Sequence, residues 1–335
     1  MSQPTAKSVH RDAHLTNISI MHKPQMFVSE RVFPNVPVKK QSDYYYVFKK
    51  GAWFRLEANR VAPAAEPNFS GYVVSDAQYM AAKYGLGTYV PIEVIRNADN
   101  PLNPLESGAR FVTNGVLLRK EYNAASTILA GSVFTNEEDA EGGWVGTTDG
   151  SGNTFIADVL KAKEAIRKLI GRYPNVFLLD AGTFNQVKQE YTVLERIKYT
   201  GTQGRPADVT AQTLAQLFEL EEVLIGGAIY SDAEEVAAGT DFNAVNMWEK
   251  NATKGSALLF YRPSGPSLEE PAMGYAFNWK GDEGAQNVAQ QDVYRTVYRW
   301  WEDKKDAWGL KCQEYFDIKV TSADAGYLFT DTIAT

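Results

Sequence analysis

Between residues 43 and 95, eleven of 53 side chains are Phe, Tyr or Trp, against 12% over the whole chain. The stretch Asp43–Lys50 (DYYYVFKK) reads as a strand, and Gly71–Val74 and Gly87–Ile92 read as return segments. A loop marked by Pro, Ala and Gly separates them, from Arg60 to Ser70. The pattern is that of a long hairpin with nothing adjacent in sequence to cover it. A two-stranded hairpin by itself is at best marginally stable in water, so these rings require a partner surface. The competing reading is an ordinary sheet edge carrying exposed tyrosines.

The chemistry open to the chain is narrow. Its three histidines, His10, His14 and His22, lie in the first 22 residues, and Cys312 is its single cysteine. No histidine-based triad can form in the body, and one thiol is too few for a Cys/His zinc site. Phosphate-loop, dinucleotide, nucleophile-elbow and HExxH motifs are absent. Asp149–Asn153 (DGSGN) lacks the acidic alternation of a calcium loop, and Glu137, Glu138, Asp139 and Glu141 read as a solvated acidic run. Asp232, Glu234 and Glu235 read the same way. No catalytic residue, cofactor or metal site is expected. Paired carboxylates with Trp300 and Trp301 leave a β-rich glycan-active or glycan-binding protein as the rival of a different class. One cysteine suits a reducing compartment, no apolar run is long enough to span a bilayer, and Met1–Val9 lacks the apolar core of a secretory signal.

Residues 1–42 show neither helical nor strand periodicity, and prolines recur at 4, 24, 34 and 37. Such a stretch is either disordered or an arm laid on another subunit, and short apolar patches at Ile18–Met21, Met26–Val28 and Val32–Phe33 favour the docking arm. The first fifty residues carry a charge of +5, leaving −12 on the rest of a chain of net charge −7. A basic arm can touch nucleic acid or the acidic body of a neighbouring copy. Asn103-Pro104 then opens a helix, with Leu105, Ala109, Val112, Val116, Leu117, Ala124, Ile128 and Leu129 along its apolar side and Gly131 as its stop. Gly108 and the Asn114-Gly115 pair weaken it and suggest a bend. A helix over Ile156–Ile170, a buried strand Val176–Leu179, a helix capped by Thr183-x-x-Gln186, a helix Thr210–Glu219 and strands Val223–Ile225 and Ala257–Tyr261 indicate an α/β unit. The end is mostly β: Val293–Trp301, Trp308–Val320 and Tyr327–Ile333.

This order resembles the tailed-bacteriophage major capsid proteins of the Hong Kong 97-type fold. Tyr89–Ile95 (YVPIEVI) feeding Pro104–Leu129, with Glu121 inside it, is similar to the E-loop return and spine helix of that family. Asp208–Phe218 followed by Val223–Gly226 is similar to its axial helix and strand, and Ala325–Ile333 to its terminal strand. The resemblance implies an α+β chain with an N-terminal arm (1–42), an extended E-loop hairpin (43–96), a peripheral domain with the spine helix (97–175), an α/β axial domain (176–290) and C-terminal strands completing the body (291–335). It implies a structural protein, not an enzyme. Its copies would assemble as hexamers and pentamers into an icosahedral head around double-stranded DNA, which they contact non-specifically. The head would be part of the virion and form in the bacterial host cytoplasm without a membrane. No heptads precede the arm, so scaffolding is expected as a separate protein, beside a portal and a possible decoration protein. Lys49 and Lys50 lie where some members carry a cross-linking E-loop lysine, but no motif singles them out and no cross-link through them is expected. The shared-fold alternative is an encapsulin-like nanocompartment enclosing protein cargo. On either reading the candidate inter-subunit contacts are Tyr44, Tyr46, Phe48, Trp53, Phe54 and Phe69 of the hairpin, with Phe27 and Phe33 of the arm.

Overall fold

The computed structural model describes residues 10–11, 27–48, 54–71, 74–99, 103–145, 152–198, 209–233, 243–250, 254–266, 270–279 and 295–333. In chain order the first elements are β1 (His10–Arg11), α1 (Ser29–Val32), β2 (Asn35–Val38), β3 (Ser42–Phe48), β4 (Val74–Met80), β5 (Ala82–Pro91), α2 (Ile92–Arg96) and α3 (Pro104–Leu129). Next come β6 (Asn136–Asp139), α4 (Phe155–Ile170), β7 (Val176–Asp180), α5 (Ala181–Val187), α6 (Tyr191–Lys198) and α7 (Ala211–Leu217). The last are β8 (Glu222–Gly226), β9 (Ile229–Ser231), β10 (Ala244–Asn246), β11 (Ser256–Phe260), β12 (Gly274–Trp279), β13 (Thr296–Glu302), β14 (Ala307–Val320) and β15 (Gly326–Thr330).

The first large sheet is organised by β14. Leu310 pairs with both Thr88 and Arg299, and Phe316 with both Ala82 and Asn278. β5 therefore runs along one edge of β14, while β13 and β12 follow one another along the other. Buried Leu310, Cys312, Glu314, Phe316 and Ile318 alternate with half-exposed residues, as a half-buried strand requires. β2 adds to β12 in parallel. The segment Gly87–Ile92, read from sequence as a hairpin return, belongs to this sheet through β5 and α2. The strand that returns to β3 is β4.

Helix α3 lies on this sheet. Asn103 caps it by accepting from Glu106 N–H, and Pro104 occupies its first turn. It ends at Ala130, whose N–H reaches Ser126 O, one residue before the expected stop at Gly131. Ala109, Val112 and Val116 pack with Val90, Val297, Leu310 and Cys312. The glycines that weaken the helix in sequence have a packing role. A Cβ at Gly108 would lie 2.9 Å from Leu310 Cδ1, and one at Gly115 would overlap Leu86 Cδ2. They let the helix backbone close onto the sheet. Gly115→Val is accordingly expected to cost about 2–3 kcal/mol by overpacking. Gly131→Ala, with nothing within 4 Å of its Cβ position, should stay within about 0.5 kcal/mol. Urea denaturation of both variants checks this pair.

The second sheet runs β6-β15-β11-β7-β8. β7 and β11 are buried at every position, and α4 packs against β11 and β15. Trp144 is enclosed by the rings of Phe155, Phe177 and Phe329 and donates its indole N–H to Asp158. Helix α5 is capped at Asp180, three residues before the expected Thr183 cap. Asp180 at the end of β7 accepts from Gly182 and Thr183 N–H, and the Thr183 hydroxyl is itself spent on Asp180. Helix α7, within the expected Thr210–Glu219, is capped by Thr210 in a box closed by Thr213 that the sequence reading did not single out.

The largest departure concerns residues 27–42. They were expected to belong to an arm leaving the subunit, yet Val28, Val32 and Phe33 are buried in the subunit's own core. Strand β2 is part of the first sheet. Pro34 and Pro37 disguise this. Pro34 follows the one-turn α1, its carbonyl accepting from Ala276 N–H, and Pro37 sits on an edge strand, where a missing N–H is tolerated.

Candidate assembly surface

The hairpin β3–β4 is two-faced because side chains alternate along a strand. Asp43, Tyr45 and Val47 point one way, and Ser42, Tyr44 and Tyr46 the other. The inner face is fixed to the body by Phe277 of β12, whose ring lies 5.1 Å from Tyr45 and 4.8 Å from Tyr79. The Tyr79 hydroxyl donates to Lys40 O. Burial raises the hydroxyl pKa of Tyr45 and Tyr79, with Asp317 adding to the first and Asp43 to the second. These rings are neutral packing groups.

Among the described residues the outer face has no such cover. Tyr44 and Tyr46 are 63% and 64% exposed, and Met80 beside them is 64% exposed. Register places Tyr44 opposite Gln78, Tyr46 opposite Asp76 and Ser42 opposite Met80. Beyond the strands, residues 54–71 carry Phe54, Leu56, Val61 and Phe69, all exposed, with Leu56 wholly so. Phe54 also leans on its own chain, against Gly171 at the left-handed cap of α4.

Of the residues singled out from sequence, Tyr44, Tyr46, Phe54 and Phe69 are therefore exposed. Phe48 ends β3 and its side chain, like Trp53, falls outside the described residues. Phe33 is a correction: it is fully buried beneath Gly274 in the subunit's own core. Phe27 is partly buried and packs on the same core. Tyr45, Tyr79 and Phe277, which aim the hairpin, were missed individually. The alternation in DYYYVF was the available signal that one Tyr of the three must face inward.

A buried carboxylate anchors the hairpin's root. Glu121 of α3 is fully buried and accepts from Val28 N–H at 2.9 Å, Ser29 N–H at 2.8 Å and Trp248 Nε1 at 2.8 Å. One side chain thus satisfies orphan donors at the start of α1 and holds the 27–38 segment, the long helix and the second sheet's domain together. Its neighbour Lys120 points to the first sheet, 2.7 Å from Glu314.

The acidic run is not simply solvated. Glu137 accepts from Ser132, Val133 and Phe134 N–H, and Glu138 binds Lys161 and the Tyr327 hydroxyl. Burial pushes both carboxyls up. For Glu137 the three N–H bonds and Lys250 outweigh burial, and for Glu138 the Lys161 and Tyr327 bonds do. Both end below the usual glutamate value of 4.5. A depressed folded pKa adds stability that is present above the unfolded value and is lost as pH falls through the folded one. Glu137→Gln/Glu138→Gln should therefore flatten the loss of stability below about pH 4.5 and cost about 1–2 kcal/mol at neutral pH. Denaturant midpoints at pH 7 and pH 3.5 check both. Asp149 lies outside the described residues. Among those described, no group of three His, Cys, Asp or Glu is placed to hold a metal, and no helix is long and apolar enough to cross a membrane.

No protein-family profile matches the chain. It is 22% identical over 320 residues to a major capsid protein of Burkholderia phage BcepMu, covering 95% of each chain. It is 23% identical over 325 residues to a major capsid protein of Pseudomonas phage JBD67, covering 96% of this chain and 97% of that one. Among solved structures, a phage-related protein from Bordetella bronchiseptica RB50 superposes with a TM-score of 0.71 at 23% identity, over 98% of this chain and 99% of that one. The capsid of cyanophage P-SCSP1u gives 0.58 at 9% identity, covering 98% and 92%. The SrpI encapsulin of Synechococcus elongatus PCC 7942 gives 0.52 at 13%, covering 97% and 96%.

Proposed function

The chain belongs to the tailed-phage major capsid protein family, with the Hong Kong 97-type fold, and from that premise we propose that it builds the phage head. Its copies associate as hexamers and pentamers and close into an icosahedral shell in the host cytoplasm, becoming part of the virion. The observation that carries the mechanism is the two-faced hairpin. Tyr45 and Tyr79 hold it on Phe277, while Tyr44, Tyr46, Met80, Phe54, Leu56 and Phe69 are presented outward. A neighbouring copy is the occupant that a repeated, self-complementary shell supplies. The role is mechanical, not enzymatic.

The packaged molecule is double-stranded DNA, contacted through sequence-independent phosphate interactions that an acidic chain keeps weak. Scaffolding, portal and any decoration protein are separate partners. The encapsulin likeness rests on the fold alone. Full-length likeness to two phage capsid proteins favours genome over protein cargo. Nuclease-treated particles purified from a phage lysate test the reading. Protected double-stranded DNA inside shells of this chain is expected, and DNA-free shells loaded with an enzyme would overturn it.

A further inference from the structure

The first sheet has a gap in its backbone pairing beside Glu314. Along one edge of β14, β13 begins with Thr296 opposite Gln313, while Asn278 of β12 lies opposite Phe316. Glu314 falls between the two strand ends, on the buried side of β14. Its Oε1 lies 2.7 Å from Lys120 Nζ of α3, and the same Nζ donates to Asn35 Oδ1 of β2 at 2.9 Å. An ammonium only donates, so Asn35 presents its oxygen here. Asn278 must then offer its amide N–H to that oxygen, which it does at 3.0 Å. This fixes the orientation of the Asn278 side chain and leaves its Oδ1 in need of a different donor.

Asn278, Arg295 and Glu314 are all buried. Among the described residues, Asn278 Oδ1, Arg295 Nη1 and Glu314 Oε2 have no hydrogen-bond partner. Arg295 approaches two carboxylates without bonding to either. Its Nε lies 3.9 Å from Glu314 Oε2, and its Nη2 lies 3.7 Å from Glu30 Oε1. Both distances exceed hydrogen-bond range. Buried polar atoms without a partner are costly, and polar groups facing each other at this separation are commonly joined through water.

We propose that this gap is an internal water-binding site. The water accepts from Arg295 Nη1 and donates to Glu314 Oε2 and Asn278 Oδ1. The chemistry of these atoms selects the ligand. One is a donor and two are acceptors, and a water molecule can both donate twice and accept. A halide has no proton to give Glu314 or Asn278. A metal ion or ammonium has nothing to accept the Arg295 N–H. The charges facing the site are Lys120 and Arg295 against Glu30, 3.6 Å from Lys120, and Glu314. These balance, so a neutral ligand fits and an ion of either sign would leave an uncompensated buried charge. The water ties the start of β13 and the end of β12 to β14 where the backbone pairing is interrupted, directly beneath α3. This inference holds whether or not the chain builds a shell.

The test is a crystal structure of the full-length chain at a resolution that shows ordered water, with further crystals soaked in bromide and in rubidium. The expected result is a single density peak about 2.6–3.2 Å from Arg295 Nη1, Glu314 Oε2 and Asn278 Oδ1, with no anomalous signal at that point in either soak. In Asn278→Leu the peak should be lost. No peak in the wild-type protein, with Arg295 bonded directly to Glu314 Oε2, would overturn the proposal. So would an anomalous bromide or rubidium peak at the site, which would make the ligand an ion, or a peak kept unchanged in Asn278→Leu. Because the wild-type density is read directly, misfolding of the variant does not protect the idea.

Discussion

Replacing Tyr44 and Tyr46 together by Ser is expected to abolish closed shells while leaving the subunit folded. Both rings stand on the outer face of β3, more than half exposed, with Tyr45 between them on the inner face. Covering the exposed part of each ring is worth about 2 kcal/mol at roughly 25 cal/mol per Å². That loss recurs at every copy of the interface, so a closed assembly amplifies it. The monomer loses no core contact, and its melting temperature should move by less than about 2 °C. Velocity sedimentation separates shells from subunits, and calorimetry reads the subunit. Tyr45→Ser is the internal control. It should lower subunit stability, because it removes one of the two rings packed on Phe277. Shells from the double variant with unchanged yield would show that the outer face is not an interface.

The largest effect on the subunit itself is expected at Glu121. Glu121→Ala strands Val28 N–H, Ser29 N–H and the Trp248 indole N–H in a site closed to water. Buried donors left unpaired cost about 1–3 kcal/mol each, and partial relaxation brings the expected total to roughly 3–5 kcal/mol. Glu121→Gln keeps an accepting oxygen and should lose less than half as much. Because the same carboxylate holds the start of α1, Glu121→Ala should also expose the chain near Val28 and Ser29 to proteolysis before the rest unfolds. Urea unfolding with limited proteolysis measures both. A cost under about 1 kcal/mol would mean that α1 is held by the Val28, Val32 and Phe33 burial alone.

The long helix and the α/β unit were legible because their signals are local. Asn103-Pro104 fixes one end of α3, and the apolar spacing of Ala109, Val112 and Val116 fixes its buried side. The strands at Val176 and Ala257 are short apolar runs between turns. What escaped depends on partners distant in sequence. β2 exists because β12, some 240 residues away, offers its edge, and no periodicity within Asn35–Val38 announces that. The Asp180 cap outcompeted the Thr183 box because β7 delivers a stronger acceptor three residues earlier. Gly108 and Gly115 looked like defects of a helix and turned out to be contacts of a sheet, a distinction only Leu310 and Leu86 could supply. In the candidate surface, the aromatic density of residues 43–95 pointed to β3, β4 and the exposed rings of 54–71, but it also took in Tyr84 and Tyr89, which belong to the first sheet through β5. Which rings face outward needed Phe277, since the pleat alternates but does not say which face is buried.

Electron microscopy of the full-length chain, purified after expression by itself and concentrated, tests the central claim most directly. The account predicts uniform closed shells, or the hexameric and pentameric rings from which they form. A population of separate monomers at every concentration and salt condition, from a protein shown to be folded, would contradict it.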